Sequence, residues 1–262
     1  MEIRFNCTSC GKCCYGNVPL TLSDALAHAG RFPLALVWTP VPQGAKAYSL
    51  ATRLGLTLNL GKRTRMAVII GPSAYIPVSL PCPELTKDGL CGIHANKPLR
   101  CRTMPFYPYL EESDQGTLWV RREGWECDTS AAAPLIYRGK KITDSADFDQ
   151  ERKALLEQVV VMREYGDFML KYSPWILDHL KAVVGRPDGQ VVTSLSSFLT
   201  AIKRIDAAPL ATQQLPVLEA IADTTATMPE AAAYHRNYIG WAKEMKYLVS
   251  RYGTGSAPLP AQ

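Results

Sequence analysis

Half of the cysteines of this chain lie in one short segment, and this feature limits what the chain can be. The chain begins MEIRFNCTSCGKCCYGN, so Cys7, Cys10, Cys13 and Cys14 follow the order C-x2-C-x2-C-C. A loop with a cysteine at every third position can bring three thiolates to one centre. Cys13 and Cys14 are adjacent, and in extended chain their side chains point to opposite faces. We predict different roles for these two residues, and the sequence does not say which one joins Cys7 and Cys10.

The other four cysteines are spread further along the chain, at Cys82, Cys91, Cys101 and Cys127. Eight thiolates could fill two four-cysteine sites, or one such site with structural or redox cysteines left over. Zinc and iron–sulfur clusters both accept four thiolates. The sequence therefore predicts all eight cysteines as candidate metal ligands and leaves the metal and the number of sites open.

Composition favours metal ligation over disulfides. A chain of 262 residues can bury a core without covalent cross-links. The first residues include Glu2 and Arg4 and lack the apolar stretch of a secretory signal peptide. We therefore expect a cytoplasmic protein, in which abundant cysteine indicates metal or redox chemistry. The longest apolar stretch, Met66 to Leu80, is broken by Gly and Pro and is shorter than the roughly 20 residues of a membrane span.

The charge pattern argues against nucleic acid as a partner. The chain has 29 basic and 24 acidic residues, a net charge of +5, with scattered basic pairs such as Lys62-Arg63. A nucleic-acid groove shows a denser stripe of Lys and Arg. We expect an unidentified protein or small-molecule partner, no nucleic acid and no membrane span.

The pattern of elements predicts an α+β fold. Residues 1–130 form a cysteine-rich metal-binding half with short helices and a small antiparallel sheet, residues 131–251 form a mainly helical region packed on it, and 252–262 form a flexible tail. Thr21 and Asp24 indicate a capping box. Strand-like runs are LTLNL, RMAVII, YIPVSL and TLWVRR. Apolar residues at helical spacing predict two helices. The first spans 151–171 and has on one face Leu155, Val159, Met162 and Met169. The second spans 231–253, ends at Gly253 and has on one face Tyr234, Tyr238, Trp241, Met245 and Leu248.

Residues beside the cysteines have less specific signals. His94 forms C-x2-H with Cys91 and could bind zinc, although eight cysteines make it unnecessary. Arg102 could offset the negative charge of a thiolate site or could face water. The acidic residues near the cysteines, Glu84, Asp88 and Glu126, are more typical of solvated turns than of acid–base catalysis.

The segments FNCTSCGKCC, LPCPEL and DGLCGIHANKPLRCRTMPF together resemble the CxxCxxCC family of zinc- or iron-chelating proteins, the YkgJ-like cysteine cluster proteins, which includes flagellin lysine N-methylases. The resemblance spans roughly residues 5 to 128. It implies metal or iron–sulfur binding by Cys7, Cys10, Cys13, Cys14, Cys82, Cys91 and Cys101, with Cys127 a weaker correspondence. Lys97 stands where the family usually has Arg before Pro.

Three functions remain open from the sequence. The first is a metal-binding protein with an iron–sulfur cluster (4Fe-4S as one form) or zinc, for which the spacing slightly favours iron–sulfur and a redox role is one option. The second is an enzyme, such as a protein-lysine N-methylase. No G-x-G-x-x-G follows a strand, and a radical-type C-x3-C-x2-C fails because position 17 is Asn17. The third is a structural zinc module in an interaction protein. The sequence does not identify any catalytic residues and leaves enzyme activity open.

Overall fold

A computed structural model describes residues 1–61, 63–118 and 124–252, and its strands form two antiparallel sheets. The strands are β1 (Glu2–Arg4), β2 (Val18–Pro19), β3 (Leu34–Pro42), β4 (Leu56–Asn59), β5 (Arg65–Ala74), β6 (Leu135–Arg138), β7 (Lys141–Ile142) and β8 (Val191–Ser194). The small sheet has the order β1-β6-β7. In the large sheet, β5 pairs with β3 along one edge and with β2 and β4 along the other, and β8 pairs with the free edge of β3.

The helices are α1 (Leu22–Ala27), α2 (Tyr48–Leu54), α3 (Leu99–Arg102), α4 (Ala146–Tyr172), α5 (Trp175–Val183), α6 (Leu195–Ala201), α7 (Ala207–Thr225) and α8 (Ala232–Tyr252). Short 3-10 helices span His94–Asn96, Glu112–Leu118 and Pro229–Ala231. The predicted α+β class is confirmed, with most of the strands before residue 143 and most of the helical residues after it. In the described part of the chain, no helix combines the length and the apolar character that crossing a bilayer requires.

One large core joins elements from both halves of the chain. Trp38 of β3 and Ile70 of β5 are buried against Met162 and Tyr165 of α4 and Phe198 of α6. The sequence patterns did not predict β8, which lies in the helical half. Val191, Thr193 and Ser194 of this short strand are buried and Val192 is half-buried, so neither face is exposed and no apolar–polar alternation shows in the sequence.

The capping box and the helical periodicities are confirmed. The Thr21 hydroxyl accepts a hydrogen bond from the Asp24 backbone N–H at 3.1 Å and begins α1. The predicted apolar faces of α4 and α8 are buried, except that Tyr234 is half-buried and stacks on Tyr75 with ring centroids 4.3 Å apart. Gly253, predicted to end α8, and all but the first residue of the predicted tail lie outside the described residues.

Two of the four predicted strands are confirmed, as β4 and as the first part of β5. The prediction for YIPVSL is wrong, because β5 ends at Ala74 and the next residues leave the sheet. Tyr75 and Ile76 are buried in the core instead, and the Tyr75 N–H bonds the Pro33 carbonyl at 2.8 Å. Of TLWVRR, Thr117 and Leu118 belong to a 3-10 helix and the remainder lies outside the described residues.

Candidate metal centre

The segment that carries the first four cysteines is a series of tight turns between β1 and β2. Ser9 and Gly11 have φ values of 56° and 71°, and the Cys14 N–H bonds the Gly11 carbonyl at 3.0 Å. A Cβ on Gly11 would lie 3.1 Å from the Gly89 carbonyl oxygen. Glycine therefore permits both the left-handed turn and the close approach of the loop that carries Cys91.

Cys7 and Cys127 lie beside one another because the two ends of the cysteine-rich region pair there. Asn6 and Asp128 form an antiparallel bridge with N···O distances of 2.8 and 3.0 Å. Cys7 and Cys127 come next on the two segments, so antiparallel pairing makes them neighbours. Cys10 shares a hydrogen bond with Cys127. Cys7, Cys10 and Cys127 thus form one set, the Cys7 group.

A second bridge places Cys14 beside Cys82. Tyr15 and Pro81 form an antiparallel bridge, and the Cys82 N–H donates to the Cys14 carbonyl at 2.7 Å. The bridge at Tyr15 therefore brings Cys14 next to Cys82, the first of the downstream cysteines.

Cys91 and Cys101 complete this second set. Cys91 forms a bridge with Leu85, whose N–H closes a turn on the Cys82 carbonyl at 2.9 Å. Cys101 lies on α3. The charges of Cys82, Cys91 and Cys101 all act to raise the pKa of Cys14, as close thiolates do. Cys14, Cys82, Cys91 and Cys101 form the Cys14 group.

Cys13 lies between the two groups. A hydrogen bond with Cys14 raises the pKa of Cys13 and lowers the pKa of Cys14, so Cys13 is the donor and Cys14 the first of the two to ionise. Charge on Cys13 also acts to raise the pKa of cysteines in both groups. These are Cys82 and Cys101 in the Cys14 group and Cys127 in the Cys7 group. The positive charge of Lys97, which stands where the family usually has Arg, opposes the rise in the Cys13 pKa.

The remaining thiols respond to burial and to one another. Burial, and then the charge of Cys82, raises the pKa of Cys101 to about 12. Burial, and then the charge of Cys10, raises the pKa of Cys127 to about 11. At Cys10 burial is outweighed by hydrogen bonds, including those with the backbone of Lys12 and Glu126, so the pKa is lowered.

Cysteine thiolates are the ligands that thiophilic metals prefer, but the eight thiols form no disulfide and do not surround a common point. All eight cysteines are free. Within residues 1–61, 63–118 and 124–252, no three His, Cys, Asp or Glu side chains converge closely enough to hold a metal ion. Burial, followed by the charge of neighbouring cysteines, raises the pKa of Cys82, Cys101 and Cys127, so these groups hold their protons more tightly than ordinary thiols. A metal would supply the missing attraction, and its binding is coupled to closing the loops.

The charged residues beside the cysteines have contacts of their own. The Arg102 guanidinium pairs with Asp147 and donates a hydrogen bond to Gln150 Oε1 at 3.2 Å. The charge of Arg100, one residue before Cys101, opposes the rise that burial causes in the Cys101 pKa. His94 is exposed at the start of a 3-10 helix.

A cavity of about 340 Å³ opens beside the Cys7 group. Cys10 and Gly11 form part of its wall, Lys12 and Lys87 lie at its edge, and Tyr15 lies on a further side. The Lys12 ammonium lies 3.9 Å from Glu126, next to Cys127. Cys10 of the Cys7 group therefore faces an open cavity that two lysines also line.

Residues 6–127 match the family model CxxCxxCC, described as “Putative zinc- or iron-chelating domain”. This matched range, slightly less than half of the chain, is similar to that family. All eight cysteines lie within the matched range, Cys127 as its last residue. Neither a curated protein nor a solved structure matches the chain.

Proposed function

We propose that this chain is a metal-binding redox protein in which the CxxCxxCC domain holds two iron–sulfur clusters. Cys7, Cys10, Cys13 and Cys127 would hold one cluster, and Cys14, Cys82, Cys91 and Cys101 the other. The observation that supports two sites is the pair of backbone bridges, Asn6–Asp128 and Tyr15–Pro81, which lead the two ends of the cysteine run to different partners.

The division between Cys13 and Cys14 rests on spacing and on hydrogen bonding. Cys13 continues the C-x2-C-x2-C spacing of Cys7 and Cys10, which suits an iron–sulfur cluster. Cys14 is tied to Cys82 through its backbone. An iron–sulfur cluster supplies one-electron transfer when it is bound. The chain supplies sulfur donors, a buried Arg100 beside Cys101, and the open cavity at Cys10 through which a small reactant could approach.

The first experiment is anaerobic purification with assays of iron, zinc and acid-labile sulfide, together with a visible spectrum. We expect near-equal iron and sulfide and a broad absorbance that bleaches on reduction. Zinc without sulfide or visible absorbance would show that the iron–sulfur and redox parts of the proposal are wrong.

Serine variants then test the two-site division. We expect C10S and C91S each to lose about half of the bound metal, and the double variant C10S/C91S to lose nearly all of it. Y15F is the matched control, because Tyr15 adjoins Cys14 and carries no sulfur, and it should keep full metal content. If either single variant releases all metal, the cysteines form one shared site. If single serine variants of all eight keep full metal, the cysteines are not the ligands.

A further inference from the structure

A second cavity lies in the helical half, with no cysteine among its lining residues. It has a volume of about 620 Å³ and lies between the C-terminal end of α4, the residues around α6 and the second half of α8. This volume is within the range of small-molecule sites. We call it the serine groove after Ser194, Ser196 and Ser197, which line it.

The serine hydroxyls form a fixed polar wall. Ser194 and Ser196 are buried, and their hydroxyl oxygens are 2.8 Å apart. Ser197 Oγ bonds the buried Tyr165 hydroxyl at 2.7 Å, and Tyr165 bonds Thr193 at 2.7 Å. This network holds the wall rigidly against the large sheet, so the groove is preformed.

Four other polar side chains of the lining have no protein partner among the described residues. Among the described residues, the side chains of Lys203 and Lys243 make no ion pair, and the hydroxyls of Ser173 and Thr200 make no hydrogen bond. Arg251 also lines the groove and bonds the Tyr247 hydroxyl at 3.1 Å. The lining thus offers three cations and two free hydroxyls.

One carboxylate, Glu244, is present, and it accepts a hydrogen bond from Ser196. This bond turns the carboxylate toward the serine wall, and the lining keeps an excess of positive charge. Groups of this kind, cations with hydroxyl donors, recognise the several oxygens of a phosphate.

Aromatic rings supply the rest of the lining. Tyr247 and Tyr252 lie on the groove face of α8 with 58% and 40% of their surface exposed, and Phe168 of α4 lies on another side. The Arg251 guanidinium lies over both tyrosine rings, 5.9 Å from the Tyr247 centroid and 5.4 Å from the Tyr252 centroid. Partly exposed rings beside cations suit a ligand that has both a flat ring and an anionic group.

We propose that the serine groove binds a phosphorylated small molecule that carries a flat ring, of the mononucleotide class. Lys203, Lys243 and the free hydroxyls contact the phosphate, and Tyr247 contacts the ring. This site is independent of the metal proposal, because the two share no residue.

The test is calorimetric titration of the full chain, purified anaerobically with its metal, with AMP, adenosine and inorganic phosphate as separate probes. We expect AMP to bind at least about tenfold more tightly than adenosine or phosphate alone. The variant K203Q/K243Q should lose at least about tenfold in AMP affinity, and Y247A should weaken AMP but not phosphate.

The matched control is K153Q/K246Q, which removes two exposed lysines outside the groove, one of them on α8. It should bind AMP as the parent chain does. Thermal melting and metal content check that each variant is folded. Absence of AMP binding up to about 10 mM, equal AMP losses in the two double variants, or phosphate binding as tight as AMP binding would each overturn the proposal.

Discussion

Arg100 and Glu151 form a buried ion pair, with Nη1 and Oε1 3.6 Å apart and side chains only 5% and 2% exposed. Arg100 lies on α3 next to Cys101, and Glu151 lies near the start of α4. The pair therefore fastens the segment that carries Cys101 to the longest helix. Burial raises the pKa of Glu151, and the charge of Arg100 opposes this rise.

Removal of one partner of this pair should be costly. In Glu151→Ala the Arg100 charge stays buried without its carboxylate and keeps only neutral partners such as the Phe106 carbonyl, so we expect a loss of about 3 to 5 kcal/mol in the free energy of unfolding. Urea unfolding measures it. Glu157→Ala is the control, because Glu157 forms an exposed pair with Lys153, and it should cost less than about 1 kcal/mol. Equal losses would contradict a structural role for the buried pair.

Two helical glycines should respond oppositely to alanine. A Cβ on Gly166 of α4 would lie 2.5 Å from Leu56 Cδ2 and 2.9 Å from Ile70 Cδ1, both buried in the core. Gly166→Ala should therefore cost about 1 to 3 kcal/mol through overpacking. Gly240 of α8 has open space at this position, so Gly240→Ala should stabilise by about 0.5 to 1 kcal/mol. Thermal or urea unfolding compares them, and stabilisation by Gly166→Ala would show that the contact is loose.

The decrease in the free energy of unfolding at alkaline pH should depend on Tyr165. Burial raises its pKa to about 12 in the folded chain, whereas an ordinary tyrosine titrates near 10. Between these values the folded chain keeps a proton that the unfolded chain loses, so the free energy of unfolding falls as pH rises. Tyr165→Phe should make this fall shallower, by up to about 1.4 kcal/mol per pH unit.

Urea unfolding between pH 9 and about 12 measures this slope. Tyr165→Phe also removes hydrogen bonds with Thr193 and Ser197, so its stability is lower throughout, and the slope rather than the value is diagnostic. Tyr172→Phe is the control, since Tyr172 is 62% exposed, and it should keep the parent slope. An unchanged slope in Tyr165→Phe would contradict the prediction.

Metal removal should loosen the cysteine loops before it affects the helices. On the proposed function, chelation leaves the turns around Cys10 without their ligand, so trypsin should cleave after the exposed Lys12 faster than in the metal-loaded chain. Lys140, exposed between β6 and β7, offers an internal control whose cleavage rate should not change. Mass spectrometry of timed digests measures both. Equal acceleration at the two lysines would indicate general unfolding.

The sequence determined the features that depend on local spacing. The cysteine run, the capping box at Thr21 and the apolar faces of α4 and α8 are fixed within a few residues along the chain, where side-chain periodicity follows backbone geometry. The family and the α+β class were predictable for the same reason. The strand prediction at YIPVSL failed because apolar residues entering the core resemble a strand when only their composition is visible.

The tertiary structure decided which cysteines lie next to one another. The bridges Asn6–Asp128 and Tyr15–Pro81 join segments far apart in sequence, and the spacing of Cys13 and Cys14 is the same whichever partners they meet. The buried partnership of Arg100 with Glu151 and the pairing of β8 with β3 also depend on long-range packing. Local patterns specify which residues can bind metal, but only the closure of distant loops specifies which thiolates become neighbours, because that closure is driven by a core spread over both halves of the chain.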